Sequence, residues 1–172
     1  MKPEKAPVSK GKKFSFAAAP VALVIALIAS LQGFEGRVYT TYWDDLGKVW
    51  TVCAGVTGKG VEPGRTYSKA ECDALEGAYI TKMLARMGKC VKGEYDFNVI
   101  KGMGHFAYNI GEDNFCASTA SRMLNAGNVA LACKQIARWT YIKKKNCRDP
   151  KNKCMGIVTR RTWEQKTCEA GL

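Results

Sequence analysis

Glu35, Asp44 and Thr51 are the residues of this chain whose types and order could carry a reaction. They lie in the stretch 32–58, QGFEGRVYTTYWDDLGKVWTVCAGVTG. One carboxyl that can give a proton, a second that stays ionised and a hydroxyl that holds water are the parts needed to cleave a glycosidic bond. Acidic pairs at such spacings are also common on solvated surfaces, so the spacing alone assigns nothing.

The elements around these residues decide whether they can meet. Phe14 to Phe34 has no ionisable side chain over 21 positions, and Glu35 follows it directly. As a helix rising about 1.5 Å per residue, that run can cross a bilayer. Many of its residues are alanine, serine or glycine and Gln32 is polar, so insertion is expected to be marginal. Residues 1–13 hold five lysines and one glutamate; this bias keeps them in the cytosol and sends everything after Phe34 outward. A cleaved signal peptide, a permanent anchor and an anchor weak enough to leave the membrane all remain open, with Ile28-Ala29-Ser30 a poor cleavage match. Arg37 to Val56 alternates and turns as a β-hairpin around Asp44-Asp45-Leu46-Gly47, and a further short strand is expected between Gly55 and Val61.

The remainder reads as helical. Ser68 and Glu71 have capping-box spacing ahead of a helix to Gly88. Apolar periodicity marks helices over Phe97–Ile110, Ser118–Asn125, Val129–Tyr141 and Ile157–Cys168, with a basic loop at Lys143–Lys153. The expected organisation is a basic N-terminus over 1–13, an anchor over 14–34 and one catalytic domain over 35–172.

Lysine and arginine outnumber acids 27 to 15, a formal net charge of +12. A polyanionic partner fits this balance, and charge does not choose among nucleic acid, anionic membrane and cell wall. The single His105 excludes a histidine metal cluster and reads as a core residue. Eight cysteines, at 53, 72, 90, 116, 133, 147, 154 and 168, include no Cys-x-x-Cys pair. In an exported chain they read as up to four disulfides. The only pairing the sequence suggests is Cys147 with Cys154, across a turn-forming Arg-Asp-Pro-Lys-Asn-Lys.

Several ordered motifs carry a resemblance. Glu35-Gly36, Tyr42-Trp43-Asp44, Gly47 and Thr51-Val52-Cys53-Ala54-Gly55 are followed by Tyr108-Asn109-Ile110-Gly111-Glu112, then Ser121 to Gly127, Ala137-Arg138-Trp139 and Gly156-Ile157-Val158-x-Arg160-Arg161-x-x-Glu164. From about Phe34 to its end the chain resembles the phage lysozymes of the T-even type, glycoside hydrolase family 24, and among them the endolysins with a signal-anchor-release segment. It departs from the pattern in having six residues rather than five between Asp44 and Thr51, which leaves Asp45 as an alternative aspartate. It also has Val56 where many relatives carry histidine.

The resemblance implies an α+β, lysozyme-like fold, with a small antiparallel sheet lobe and a larger helical lobe around a cleft. It implies hydrolysis, without cofactor or metal, of the β-1,4 bond between N-acetylmuramic acid and N-acetylglucosamine in peptidoglycan. Glu35 would be the general acid, its charged form disfavoured by desolvation. Asp44 with Thr51 would position water on the opposite sugar face, the inverting arrangement. Tyr108, Asn109, Arg138 and Trp139 are the expected substrate wall, and Arg160 and Arg161 are expected to pair with stem-peptide carboxylates or to brace Glu35. The expected partners are peptidoglycan strands and, through residues 14–34, the host inner membrane, not nucleic acid. The expected form is a monomer facing the periplasm, later released into it and inactive while anchored. A lytic transglycosylase and a non-catalytic cationic wall- or membrane-binding protein are the alternatives.

Overall fold

The computed structural model describes residues 11–172, apart from Leu46 and the side chain of Glu35. Residues 1–10 of the basic N-terminus lie outside the described residues.

The apolar run that begins at Phe14 is not one continuous helix here. Lys13–Phe14 form a short strand, β1, antiparallel to β5 at Tyr95–Asp96. Phe16 is fully buried against the rings of Tyr95 and Phe115. Only after Pro20, whose fixed φ suits a helix start, does helix α1 run from Val21 to Glu35. Leu23, Leu27 and Leu31, four residues apart on one face, are buried, whereas Val21 and Ile25 remain 74% and 60% exposed. The helix stops at Gly36, whose φ of 70° suits glycine, with its N–H bonded to the Gln32 carbonyl. Among the described residues no helix is long and apolar enough to cross a membrane.

Beyond Gly36 a three-stranded antiparallel sheet is built in the order β2 (Val38–Asp44), β3 (Val49–Cys53), β4 (Val56–Thr57). The third strand falls within the span expected for it. A small core of Val52, Cys53, Val56, Tyr67 and Cys72 lies beneath the sheet. Helix α2 (Lys69–Cys90) opens with the expected capping box: Ser68 Oγ accepts the Glu71 N–H, and the Glu71 carboxylate accepts the Ser68 N–H.

The larger lobe is helical: α3 (Phe97–Ile110), α4 (Glu112–Ala117), α5 (Thr119–Asn125), α6 (Val129–Gln135) and α7 (Met155–Glu169). Helix α3 is its axle. A Cβ added at Gly102 would meet the Cys168 N and Glu164 O of α7 at 2.7 Å, and one at Gly104 would meet Leu27 of α1 at 3.1 Å. These two glycines therefore let α7 and α1 pack directly on the α3 backbone. The helix expected over Val129–Tyr141 ends earlier. A 3-10 turn at Ile136–Arg138 follows α6, and the basic segment forms a hairpin of β6 (Tyr141–Ile142) and β7 (Lys145–Asn146).

All eight cysteines are paired: Cys53–Cys72, Cys90–Cys116, Cys133–Cys168 and Cys147–Cys154. The last is the pairing suggested by its turn.

Candidate active site

Strand register fixes the first relation within the site. Tyr42 pairs with Thr51 and Asp44 with Val49, and side chains alternate faces along a strand. Asp44 and Thr51 are therefore diagonal neighbours on one face, about 7–8 Å apart or less. Trp43 and Trp50 pair on the opposite face, with ring centroids 5.7 Å apart. Thr51 is buried and donates a 3.3 Å hydrogen bond to the Val49 carbonyl. Asp45, in contrast, stands in the turn, 86% exposed, with Lys48 at 3.6 Å. In the same turn Lys48 adopts a φ of 52°.

Glu35 enters as the last residue of α1, directly before the Gly36 turn into the sheet. Its neighbour Phe34 is held from three sides. The rings of His105 and Trp163 approach at 5.1 and 5.4 Å, and the Arg160 guanidinium carbon lies 5.4 Å from the Phe34 ring centroid.

Below Phe34 runs a buried polar chain. His105 Nδ1 is 2.7 Å from Glu164 Oε1, and both side chains are fully buried. Arg161 donates to the other Glu164 oxygen, to Asn109 Oδ1 and to the Trp139 carbonyl. Burial pushes the Arg161 guanidinium below its ordinary value, while Glu164 opposes that shift.

The expected wall residues fall in different places. Tyr108 donates its hydroxyl to the Ala54 carbonyl and packs edge-on to Tyr79, 5.5 Å between centroids, so it joins the helical lobe to the sheet lobe. Asn109 and Trp139 are joined through Arg161, and Trp139 also packs on Phe106. Arg138 is exposed and donates to Gln135, which brings it to none of the others.

A second buried charge centre was missed in the sequence. Arg37 donates from Nε and Nη2 to Glu76 and from Nη2 to Asp73 at 2.6 Å. Glu76, foremost, holds the Arg37 guanidinium above its ordinary range. Lys69 first and Arg37 second hold Asp73 below the usual carboxylate range. The available signal was Glu76 itself, an acid within the stripe Cys72, Ile80, Met83, Met87 that forms the buried face of α2.

The model of the phage lysozyme family matches residues 32–164. The chain is 38% identical over 136 residues to the SAR-endolysin of Enterobacteria phage PA-2, covering 79% of this chain and 78% of that one. It is 34% identical over 168 residues to the SAR-endolysin of Escherichia phage 933W, covering 91% and 94%. Two solved structures share the fold. The muramidase domain of SpmX from Asticaccaulis excentricus superposes with TM-score 0.71 at 20% identity, covering 83% of this chain and 94% of that one. The active form of the P1 phage endolysin Lyz gives TM-score 0.69 at 18% identity, covering 88% and 94%. A sheet hairpin that turns one acid and one hydroxyl to the same face, behind a helix that ends in glutamate, thus belongs to a chain that is a member of the phage lysozyme family.

Proposed function

We propose that this chain is a phage endolysin that hydrolyses the β-1,4 bond between N-acetylmuramic acid and N-acetylglucosamine in peptidoglycan. The observation that carries this reading is the register placing Asp44 and Thr51 on one face of the sheet that follows Glu35. Glu35 protonates the glycosidic oxygen. Asp44 and the Thr51 hydroxyl hold the water that attacks from the other face, so the anomeric configuration inverts. Exposed Asp45 beside Lys48 is left outside the reaction. Tyr108, Asn109 and Trp139 shape the floor of the cleft from the helical lobe, and Arg138 reaches sugar or stem peptide only at its rim.

Residues 14–34 hold the protein in the host inner membrane, facing the periplasm, until the segment leaves the bilayer. The burial of Phe16, Leu23, Leu27 and Leu31 supports this. Side chains that meet lipid in the anchored form meet protein in the folded form, and they cannot do both. While the segment is embedded, Glu35 is drawn away from Asp44 and Thr51.

The test uses purified protein and isolated peptidoglycan. Glu35→Gln is expected to abolish release of reducing sugar, and the native products are expected to carry reducing N-acetylmuramic acid ends. Undiminished release by Glu35→Gln would refute the enzyme reading, and 1,6-anhydro ends would assign a lytic transglycosylase instead.

A further inference from the structure

Glu76 is 2% exposed on α2 and takes no part in the proposed chemistry. Four hydrogen bonds converge on its carboxylate. Oε1 accepts from Arg37 Nε and from the backbone N–H of Ala54, each at 3.0 Å. Oε2 accepts from Gln32 Nε2 at 3.0 Å and from Arg37 Nη2 at 2.7 Å. A carboxylate offers about four lone-pair positions, so this one is saturated. The bidentate arginine fixes its plane, and the remaining position on each oxygen is directed to a different element.

The identity of those elements matters more than the number of bonds. Gln32 and Arg37 bracket Glu35 and Gly36, and Ala54 lies three residues beyond Thr51, just past the end of β3. One carboxylate thus ties the end of α1 to the strand that carries the hydroxyl. Ala54 is held from both sides, since its carbonyl accepts from Tyr108 of α3. Stability alone does not call for a charge here. A buried ion pair is often replaced without loss by apolar side chains of similar volume, and the flanking stripe positions on α2 are apolar.

We infer that Glu76 is a positioning residue that sets the distance between the proposed acid, Glu35, and the proposed water-holding pair on the sheet; this rests on the site assignment above. Gln32 belongs to the segment that leaves the membrane, so the Glu76 carboxylate gains its fourth donor only when that segment docks. The final seating of α1 and the alignment of the site are then a single event.

The test compares the native full chain, with its disulfides formed, to the Arg37→Leu/Glu76→Leu double variant and to Glu76→Gln. Thermal unfolding, amide exchange at Ala54 and kcat and KM on soluble peptidoglycan fragments are measured. The double variant is expected to keep native-like unfolding and to exchange the Ala54 amide at least about tenfold faster. Its kcat is expected to fall on the order of 10- to 100-fold at unchanged KM, the scale of a misplacement near 1 Å. Glu76→Gln strands a buried guanidinium and should lose stability as well, so the double variant carries the decision. Unchanged exchange at Ala54, native kcat in the double variant, or a kcat that falls only in proportion to the folded fraction would each overturn the inference. If Glu35→Gln retains activity, the acid assignment fails separately, and exchange at Ala54 still decides whether Glu76 ties α1 to the sheet.

Discussion

Leu27→Ala tests whether the N-terminal apolar segment is part of the protein core. Leu27 is fully buried and sits over Gly104 of α3, its Cδ1 and Cδ2 lying 3.1 and 3.5 Å from where a Cβ at Gly104 would be. Leu84 Cδ2 lies 3.5 Å from the same point. Truncating a buried leucine costs about 2–5 kcal/mol, more where the cavity cannot collapse. Here the facing residue is a helical glycine with no side chain to move inward, so the expected loss is about 3–4 kcal/mol. Against a typical total of about 5–15 kcal/mol, such a loss is plain in a urea titration of the detergent-free, disulfide-intact protein. With a urea slope of about 1–3 kcal/mol/M, the midpoint should fall by at least about 1 M. Adding Gly104→Ala places a methyl in the vacated space and should recover about 0.5–1 kcal/mol, a coupling that a double-mutant cycle reads directly. Val21→Ala, on the exposed side of the same helix, should change stability by no more than about 0.5 kcal/mol. If Leu27→Ala costs no more than Val21→Ala, α1 is not a core helix in the released protein and the two-environment reading of residues 14–34 fails.

Asp44→Asn is expected to lower turnover on peptidoglycan at least about 100-fold, whereas Asp45→Asn should stay within about twofold, because only Asp44 shares a face with Thr51; the reverse order would assign the water to Asp45. Arg161→Ala leaves the Glu164 carboxylate buried beside His105 without its cation and should cost about 3–5 kcal/mol in urea unfolding. Among the disulfides, replacing Cys133–Cys168, which spans 35 residues, should cost about 4 kcal/mol, and Cys147–Cys154, which spans 7, about 2 kcal/mol; melting of the two paired Cys→Ala variants checks the order. The Ser68 backbone N–H, foremost, holds Glu71 below the usual carboxylate range. A depressed carboxylate adds stability that is present above its unfolded value, about 4.3, and is lost as pH falls through its folded value. The melting-temperature gap between native protein and Glu71→Gln should therefore be full at pH 7 and close below about pH 4.

The sequence made legible what depends on local pattern. The capping box at Ser68 and Glu71, the helix over Phe97–Ile110, the hairpin that carries Asp44 and the Cys147–Cys154 pairing all follow from neighbours within a few residues, and the structure shows each of them. The long-range consequences were hidden. Nothing near Glu76 in sequence announces that Arg37 and Gln32 will meet it, because those contacts span about forty residues. Hydropathy also treated Phe14–Phe34 as a single apolar run. It could not show that Pro20 divides the run, or that Phe16, Leu23, Leu27 and Leu31 are the side chains of that run which the core fully buries. His105 was rightly placed in the core, but its pairing with Glu164 depends on α7 reaching α3 across Gly102.

The covalent crosslinks begin at Cys53 and end at Cys168, and no cysteine precedes them. Oxidation can therefore weld the part of the molecule from β3 onward while everything ahead of it still hangs from one peptide connection. The first helix and first sheet strand are fastened by non-covalent contacts alone, so they are the pieces free to arrive last.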